Sequence, residues 1–282
     1  MTIEVAVAKF VFKRSSSQKT SRKGARVEDF EAPLRRLHVP KRMMSRSPSS
    51  ASEADASRPA SETGARREIA VWDLPTRLFH WCAVLLVVAA YVTARLNWVL
   101  WHSRIGYVLL GLLLFRLLWG LFGSETAQFS KFLARPSTAI RHLMRALRRD
   151  ADAEVGHNPA GGWMVMLLLA LMLGQTLTGL YVGNDISDEG PLTEYVSAPV
   201  ANLIDAMHDL IIWDALAITA AIHILAILAY LVVKRDNLIT PMVTGRKIVS
   251  TRIRPPMMQR WPWALFILAC SVAATYALVE LI

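Results

Sequence analysis

Four of the seven histidines in this chain lie in or at the ends of long apolar segments, where a polar ring needs a specific partner. They are His80, His102, His208 and His223. A buried imidazole can ligate a metal or a haem iron, bridge two helices through a hydrogen bond, or relay protons. Which of these chemistries applies depends on how deeply each ring lies in the membrane.

His208 and His223 are 15 residues apart, which is a rise of about 22 Å along a helix. The predicted helix directions place His102 at the depth of His208, and His80 at the depth of His223. The axial ligands of a bis-imidazole haem approach from opposite sides of a flat porphyrin, so they must come in facing pairs. The two pairs therefore predict two b-type haems with these histidines as iron ligands. The chain has no C-x-x-C-H motif, so covalent haem attachment is not predicted.

The same histidines also allow a different class of function, a histidine-based ion or proton transporter without haem. Any single ring could instead form a hydrogen bond between helices. A zinc site would favour cysteine or carboxylate neighbours, and Asp209 and Asp214 are the only carboxylates close to the histidines of their segment. We therefore favour haem ligation.

Two arginines accompany the histidines. Arg116 lies within an apolar segment, where an unpaired cation is costly, and no acidic residue in the first three segments balances it. A haem propionate would balance the positive charge. Arg116 is 14 residues after His102, so it lies on a similar face of the helix about 21 Å deeper in the membrane, near the inner haem. The alternative is that its side chain snorkels to the interface. Arg77, one turn before His80, either holds a propionate or marks the inner edge of the membrane.

Five apolar segments carry or follow these residues. They cover 75–94, 105–122, 163–182, 207–233 and 261–282. Helices of this length cross a hydrocarbon core of about 30 Å. The predicted fold class is an all-α membrane protein: a four-helix transmembrane bundle that holds two haems, a fifth C-terminal transmembrane helix and a disordered N-terminal tail. The predicted divisions are a basic tail at 1–68, the di-haem bundle at 69–248, and a linker with the fifth helix at 249–282.

Charge and cysteine content narrow the function further. The net charge of +10 lies mainly in the tail and in loops beside the apolar segments, which argues against a nucleic-acid partner. The loops after the second and fourth segments are basic, whereas 183–206 has no Lys or Arg. This asymmetry predicts a cytoplasmic N-terminus and a periplasmic C-terminus. Cys82 and Cys270 both lie in apolar stretches, so a disulfide framework is not predicted.

Several short motifs are distributed over residues 70–248. They are VWDLPTRLFHW at 71–81, Trp101-His102 with Gly106, RLLWG at 116–120, GHNP at 156–159, the stretch 208–223, and the ending 237–247. Together they resemble the bacterial cytochrome b561 family, which includes the cytochrome b subunit of nickel–iron hydrogenases. The resemblance depends on the combination of motifs rather than on any one of them.

The resemblance implies a four-helix bundle in which the four histidines are the axial ligands of two b haems. It also implies electron exchange between a redox partner and the quinone pool of a bacterial inner membrane, within a respiratory chain. The partner would be a hydrogenase, another dehydrogenase or a cytochrome c. The chain would then be an electron-transfer subunit or a stand-alone quinone oxidoreductase, for example one that oxidises superoxide.

One feature departs from the family pattern. The spacing between His208 and His223 is one residue longer than the family's usual spacing. An extra residue turns one ligand by about 100° around the helix, unless a bulge or a frayed first turn absorbs it. His208 is the ligand most affected.

His157 and Asn158 lie in a turn on the predicted cytoplasmic side, near the depth of the inner haem. We hypothesise that both side chains hydrogen-bond a quinone carbonyl. The alternative is that they form only a turn and a helix cap before the third apolar segment.

Overall fold

The computed structural model describes residues 66–144, 156–183, 190–251 and 253–280. Five helices in this part of the chain are long and apolar enough to cross a membrane: Leu74–Arg95, Val99–Phe122, Pro159–Gly179, Ala198–Lys234 and Trp261–Glu280. The predicted helical membrane architecture with five spans is therefore confirmed. Residues 1–65 of the predicted tail lie outside the described residues.

The elements are numbered in chain order. They are β1 (Arg66–Ala70), α1 (Leu74–Arg95), α2 (Val99–Phe122), α3 (Phe129–Phe132), α4 (Pro136–Met144), α5 (Pro159–Gly179), α6 (Ala198–Ala206), α7 (Trp213–Ala229), α8 (Ile239–Thr244), β2 (Arg246–Ser250) and α9 (Trp261–Glu280). Helix α2 begins six residues earlier than predicted, so that His102 lies in its first turn. The end of the fifth predicted segment, 281–282, is outside the described residues.

The fourth span is one continuous helix with two π-helical segments. The first, Met207–Ile212, joins α6 to α7, and the second, Tyr230–Lys234, follows α7. A π turn contains more residues than an α turn, so each segment shifts the phase of the helix. The span begins at Ala198 rather than at the predicted position 207.

Helix α2 lies at the centre of the packing and contacts α1, α5 and α9. Its side chains Leu110, Leu113 and Trp119 are among the most deeply buried in the described residues. Helix α5 in turn packs on α7, whereas α1 and α7 are not among the helix pairs that pack closely. The rings of Tyr91 and Trp213 stack 5.2 Å apart and bridge α1 to α7.

A two-stranded ribbon closes the end of the bundle where α1 begins. Strand β1 pairs antiparallel with β2, and the N–H of Val71 then donates to the carbonyl of Gly245 at 2.8 Å. Gly245 has φ of 82°, which glycine adopts without steric cost. A Cβ at this position would lie 2.8 Å from the carbonyl oxygen of Trp72. The last three residues of the predicted tail, 66–68, belong to β1 and are ordered by this ribbon.

Asp73 connects this end of α1 to α2. One carboxylate oxygen caps α1 by accepting from the N–H of Thr76 at 2.7 Å, and the other accepts from Nε1 of Trp119 at 3.0 Å. Capping by aspartate stabilises a helix by about 1 kcal/mol. Because Asp73 is only 8% exposed, both hydrogen bonds also compensate for a buried charge.

Candidate haem-ligand site

His102 and His208 face each other at one end of the bundle, which we call the outer end. Their ring centroids are 6.1 Å apart and their planes are perpendicular. Two imidazoles that hold a metal between them, each at about 2 Å from the ligating nitrogen, have centroids about 6 Å apart. The separation of these two rings therefore matches that of a bis-imidazole pair.

The hydrogen bonds of His102 define its tautomer. Its Nδ1 lies 2.9 Å from the carbonyl oxygen of Ala90 on α1. A carbonyl only accepts, so Nδ1 must carry the proton and Nε2 must present a lone pair. A neutral imidazole with a free Nε2 is the form that binds iron, and a backbone carbonyl on Nδ1 is a frequent partner of such ligands.

His208 is held in a similar way by helix α5. Its Nδ1 lies 3.1 Å from the hydroxyl oxygen of Thr178, and its backbone carbonyl accepts from Nε2 of Gln175 at 3.0 Å. A Cβ at Gly179 would lie 3.0 Å from Cε1 of His208. Glycine at this position therefore leaves room for the ring. The sequence did not indicate these partners, because 30 or more residues separate them from His208 along the chain.

The first π-helical segment contains His208. This segment explains how the helix accommodates the extra residue between His208 and His223. A π bulge absorbs one extra residue without breaking the helix. The extra residue in the 15-residue spacing is thus taken up at His208 itself, and its ring faces His102. Of the two expected ways to absorb the extra residue, a bulge or a frayed first turn, the protein has the bulge.

Two glycines of α2 have different surroundings. A Cβ at Gly106, one turn after His102, would meet no atom within 4 Å, so open space adjoins this turn. A Cβ at Gly111 would meet the Thr275 hydroxyl on α9 at 3.2 Å. Gly111 thus serves helix packing, whereas Gly106 leaves space beside the outer pair.

His80 and His223 lie at the opposite end of the bundle, which we call the inner end. They are close enough for an electrostatic interaction between their rings. Nδ1 of His80 is buried and has no hydrogen-bond partner in the described part of the chain. An unpaired buried polar atom costs about 1–3 kcal/mol, and Nδ1 of His80 lacks the hydrogen-bond partner that Nδ1 of His102 has.

Arg116 is buried near this inner pair, with 2% of its surface exposed. Its guanidinium lies 5.0 Å from the ring centroid of Phe129 and donates from Nη1 to the carbonyl of Ala127 at 3.3 Å. It also interacts electrostatically with Asp73. The sequence did not indicate this negative charge, because Asp73 precedes the first apolar segment. Asp73 becomes buried only when it packs against Trp119.

Arg77 occupies the junction between α1 and the ribbon. Its Nη1 donates to the carbonyl of Val243, and the guanidinium carbon lies 3.1 Å from where a Cβ of Gly245 would be. Nε is buried and has no hydrogen-bond partner in the described residues. Arg77 therefore has both a structural contact and an unused donor at the inner end.

His157 is enclosed by aromatic rings. Its centroid lies 4.6 Å from that of Trp72 and 4.5 Å from that of Phe132. Burial, which is the largest cause, and the positive charges of Arg116 and His223 together lower the pKa of His157 to about 3. The ring is therefore neutral at physiological pH and lies within electrostatic reach of the inner pair.

Asn158 has two roles at the start of α5. Its Oδ1 accepts from the N–H of Gly161 at 2.7 Å and caps the helix, as the turn-and-cap alternative expected. Its Nδ2 donates to the hydroxyl of Tyr230 at 2.7 Å. The hydroxyl of Tyr230 also lies 3.1 Å from Nε2 of His142. Tyr230, in the second π-helical segment, thus joins a side chain of α4 and the cap of α5, which the sequence pattern did not indicate.

These observations test whether the residues fit b-type haem. The outer pair has the separation and the tautomer that an axial pair requires, and the inner pair brings two histidine rings within electrostatic reach of each other. Within the described ranges no group of three or more His, Cys, Asp or Glu side chains is arranged to hold a metal ion. Haem iron needs only two protein ligands, so the paired histidines fit it.

The comparison with known proteins agrees with this fit. The family model described as prokaryotic cytochrome b561 matches residues 71–245, a stretch that includes all four histidines. No curated protein and no solved structure gives a significant match. Proteins of this family bind b-type haem, and the match together with the five spans indicates a multi-pass bacterial membrane protein for electron transfer. The chain thus belongs to the prokaryotic cytochrome b561 family.

Proposed function

We propose that this protein carries electrons across the membrane through two b-type haems, one at each end of the bundle. His102 and His208 would ligate the outer haem, and His80 and His223 the inner haem. The observation that carries the proposal is the outer pair, with ring centroids 6.1 Å apart and Nδ1 of His102 committed to a backbone carbonyl. A hydrogen bond between two helices would not require this arrangement.

Haem b supplies one-electron redox chemistry when bound. The protein's own contribution is ligation, spacing and charge. The two histidines of the fourth span are separated by about 22 Å of helix, which sets one haem site near each membrane surface. Arg116 and Arg77 would place positive charge beside the inner haem, where each could pair with a propionate.

Single substitutions of the histidines test the ligand assignment. His102→Ala and His208→Ala should each abolish the same haem, and His80→Ala and His223→Ala should each abolish the other. His142→Ala is the matched control, because its ring bonds to Tyr230 and belongs to neither pair. Haem content per purified chain is the measurement. A variant of one of the four that kept both haems would contradict its assignment.

We further propose that quinone reacts at the inner end, near His157 and Asn158. The support is the neutral His157 ring, whose Nδ1 has no hydrogen-bond partner in the described residues, close to the inner pair. The Tyr230 hydroxyl, held by Asn158, adds a polar group at the same membrane surface. A quinone carbonyl needs hydrogen-bond donors of this kind, close enough to a haem for electron transfer.

His157→Phe isolates the proposed quinone contact. Phenylalanine keeps the aromatic packing against Trp72 and Phe132 and removes both ring nitrogens. The expected result is slower oxidation of the reduced haems by added quinone, with haem content unchanged. An oxidation rate equal to that of the unsubstituted protein, for His157→Phe and also for His157→Ala, would exclude the quinone role.

The electron donor at the outer end is proposed to be a redox protein such as a hydrogenase, another dehydrogenase or a cytochrome c. This proposal takes the inner end as the cytoplasmic end, and the basic residues there support it, including Arg66, Arg67 and Arg246 of the ribbon. Alkaline phosphatase fused after residue 282 should be active if that end is periplasmic, and inactive if it is cytoplasmic.

The alternative of a haem-free transporter predicts a colourless purified protein.

A further inference from the structure

The two outer histidines differ in what holds their Nδ1 atoms. Nδ1 of His102 meets the backbone carbonyl of Ala90, which no substitution can remove. Nδ1 of His208 meets the side-chain hydroxyl of Thr178. The His208 ring also interacts with the backbone carbonyl of Gln175. The hydroxyl of Thr178 is therefore the part of its surroundings that a substitution can change.

The contacts of the Thr178 hydroxyl show in which hydrogen bonds it donates and in which it accepts. Its hydroxyl lies 2.8 Å from the carbonyl of Gly174, one turn earlier on α5, and 3.1 Å from that of Gln175. A hydroxyl has one proton, and the shorter contact, to Gly174, uses it. The oxygen then accepts a hydrogen bond from Nδ1–H of His208, which leaves Nε2 unprotonated and able to ligate.

The backbone around His208 needs a second support. The π-helical segment interrupts the regular hydrogen-bond ladder of the fourth span, and such interruptions leave groups that other donors must satisfy. Nε2 of Gln175 donates to the carbonyl of His208 at 3.0 Å. Gln175 and Thr178 are three residues apart and therefore share one face of α5, from which they hold the backbone and the ring of the same residue.

We propose that Thr178 is a positioning residue that fixes the tautomer and orientation of His208 and thereby sets the redox potential of the outer haem. This inference rests on the proposed function, because it takes His208 as an iron ligand. An acceptor on Nδ1–H makes the imidazole a more basic ligand. A more basic ligand favours ferric over ferrous iron, so removal of the acceptor raises the potential.

Thr178→Val tests this with a side chain of nearly the same shape. The expected result in a potentiometric titration is a higher midpoint potential for one haem only. A tenfold change in the ferric-to-ferrous preference would be a shift of about 59 mV for a one-electron couple. The affected haem should be the one that is absent from His208→Ala, and its low-spin electron paramagnetic resonance signal should change with it.

Two further variants separate positioning from general damage to the helix. Thr178→Ser keeps the hydroxyl and should restore the original potential. Thr176→Val is the matched control, because Thr176 is a buried threonine on the same helix that also bonds back to carbonyls, of Met172 and Leu173. It should leave both potentials unchanged.

An unchanged outer potential in Thr178→Val would overturn the proposal, as would an equal shift in Thr176→Val. If Thr178→Val lost the outer haem, Thr178→Cys would be titrated instead, since its sulfur is a weaker acceptor. An intermediate rise in potential would then support the proposal, and no rise would overturn it. Failure of the proposed function itself would be distinct, because the unsubstituted protein would then lack the outer haem.

Discussion

A methyl group added at Gly179 should disturb the outer haem and leave the inner haem intact. The Cβ of Gly179→Ala would lie 3.0 Å from Cε1 of His208. Carbon atoms in contact are normally about 3.5–4.0 Å apart. The ring or helix α5 must therefore move by a few tenths of an ångström. The ring cannot simply rotate away, because Thr178 holds its Nδ1 and Gln175 holds its backbone.

The energetic consequence has two opposing parts. Overpacking costs about 1–3 kcal/mol, whereas alanine gains about 0.5–1 kcal/mol over glycine near the end of a helix. The net loss of stability is therefore about 1 kcal/mol. The effect on ligation should be larger, because a shift of this size uses most of the displacement of about 0.5 Å that a working site tolerates.

The assay is a redox titration with electron paramagnetic resonance of the purified variant. We expect an altered potential and an altered low-spin signal for the outer haem, or partial loss of that haem. Gly174→Ala is the control on the same helix, since its Cβ would lie 3.6 Å from Cδ1 of Ile212, which is an ordinary contact. The reasoning is refuted if Gly179→Ala has two unchanged haems, or if Gly174→Ala shows the same disturbance.

Three other predictions concern residues at the inner end. Trp119→Phe leaves one buried oxygen of Asp73 without its hydrogen-bond donor and should lower the free energy of unfolding by about 1–3 kcal/mol, measured by thermal denaturation. Trp163→Phe is the control, because its indole is exposed, and it should lower the free energy of unfolding by less. Arg116→Leu removes the buried cation that interacts with Asp73 and leaves the carbonyl of Ala127 without its donor, so it should lower the free energy of unfolding by about 1–3 kcal/mol. Adding Asp73→Asn should recover part of that loss. His157 has a pKa of about 3 when folded and 6.5 when unfolded, so it contributes a loss of stability as the pH falls below 6.5. His157→Phe should make the melting temperature less dependent on pH between 6.5 and 4, and an unchanged slope would count against the burial of His157.

The spans could be predicted from the sequence because length and apolar composition determine what crosses a membrane. Their ends were less predictable. The segment 198–206 belongs to the fourth span, but it follows an acidic loop and contains Asp205, so its composition concealed the start of the helix. Helix α2 begins before Trp101 for a similar reason, because Ser103 and Arg104 interrupt its apolar character.

The partners of the histidines could not be predicted from the sequence. The spacing indicated which rings share a depth, and it indicated that either a bulge or a frayed first turn must absorb the extra residue before His223. It could not indicate that Ala90 and Thr178 hold the Nδ1 atoms, because those contacts depend on how separate helices pack. The burial of Asp73 likewise arises only when α2 brings Trp119 against the start of α1.

The central claim is that each chain holds two b-type haems between paired histidines. The most direct test is an absorption spectrum of the purified full-length protein from haem-replete cells, with haem and protein quantified on the same sample. We predict two haems per chain with reduced spectra of bis-histidine, low-spin character. A colourless protein, or one with a single haem per chain, would contradict this account.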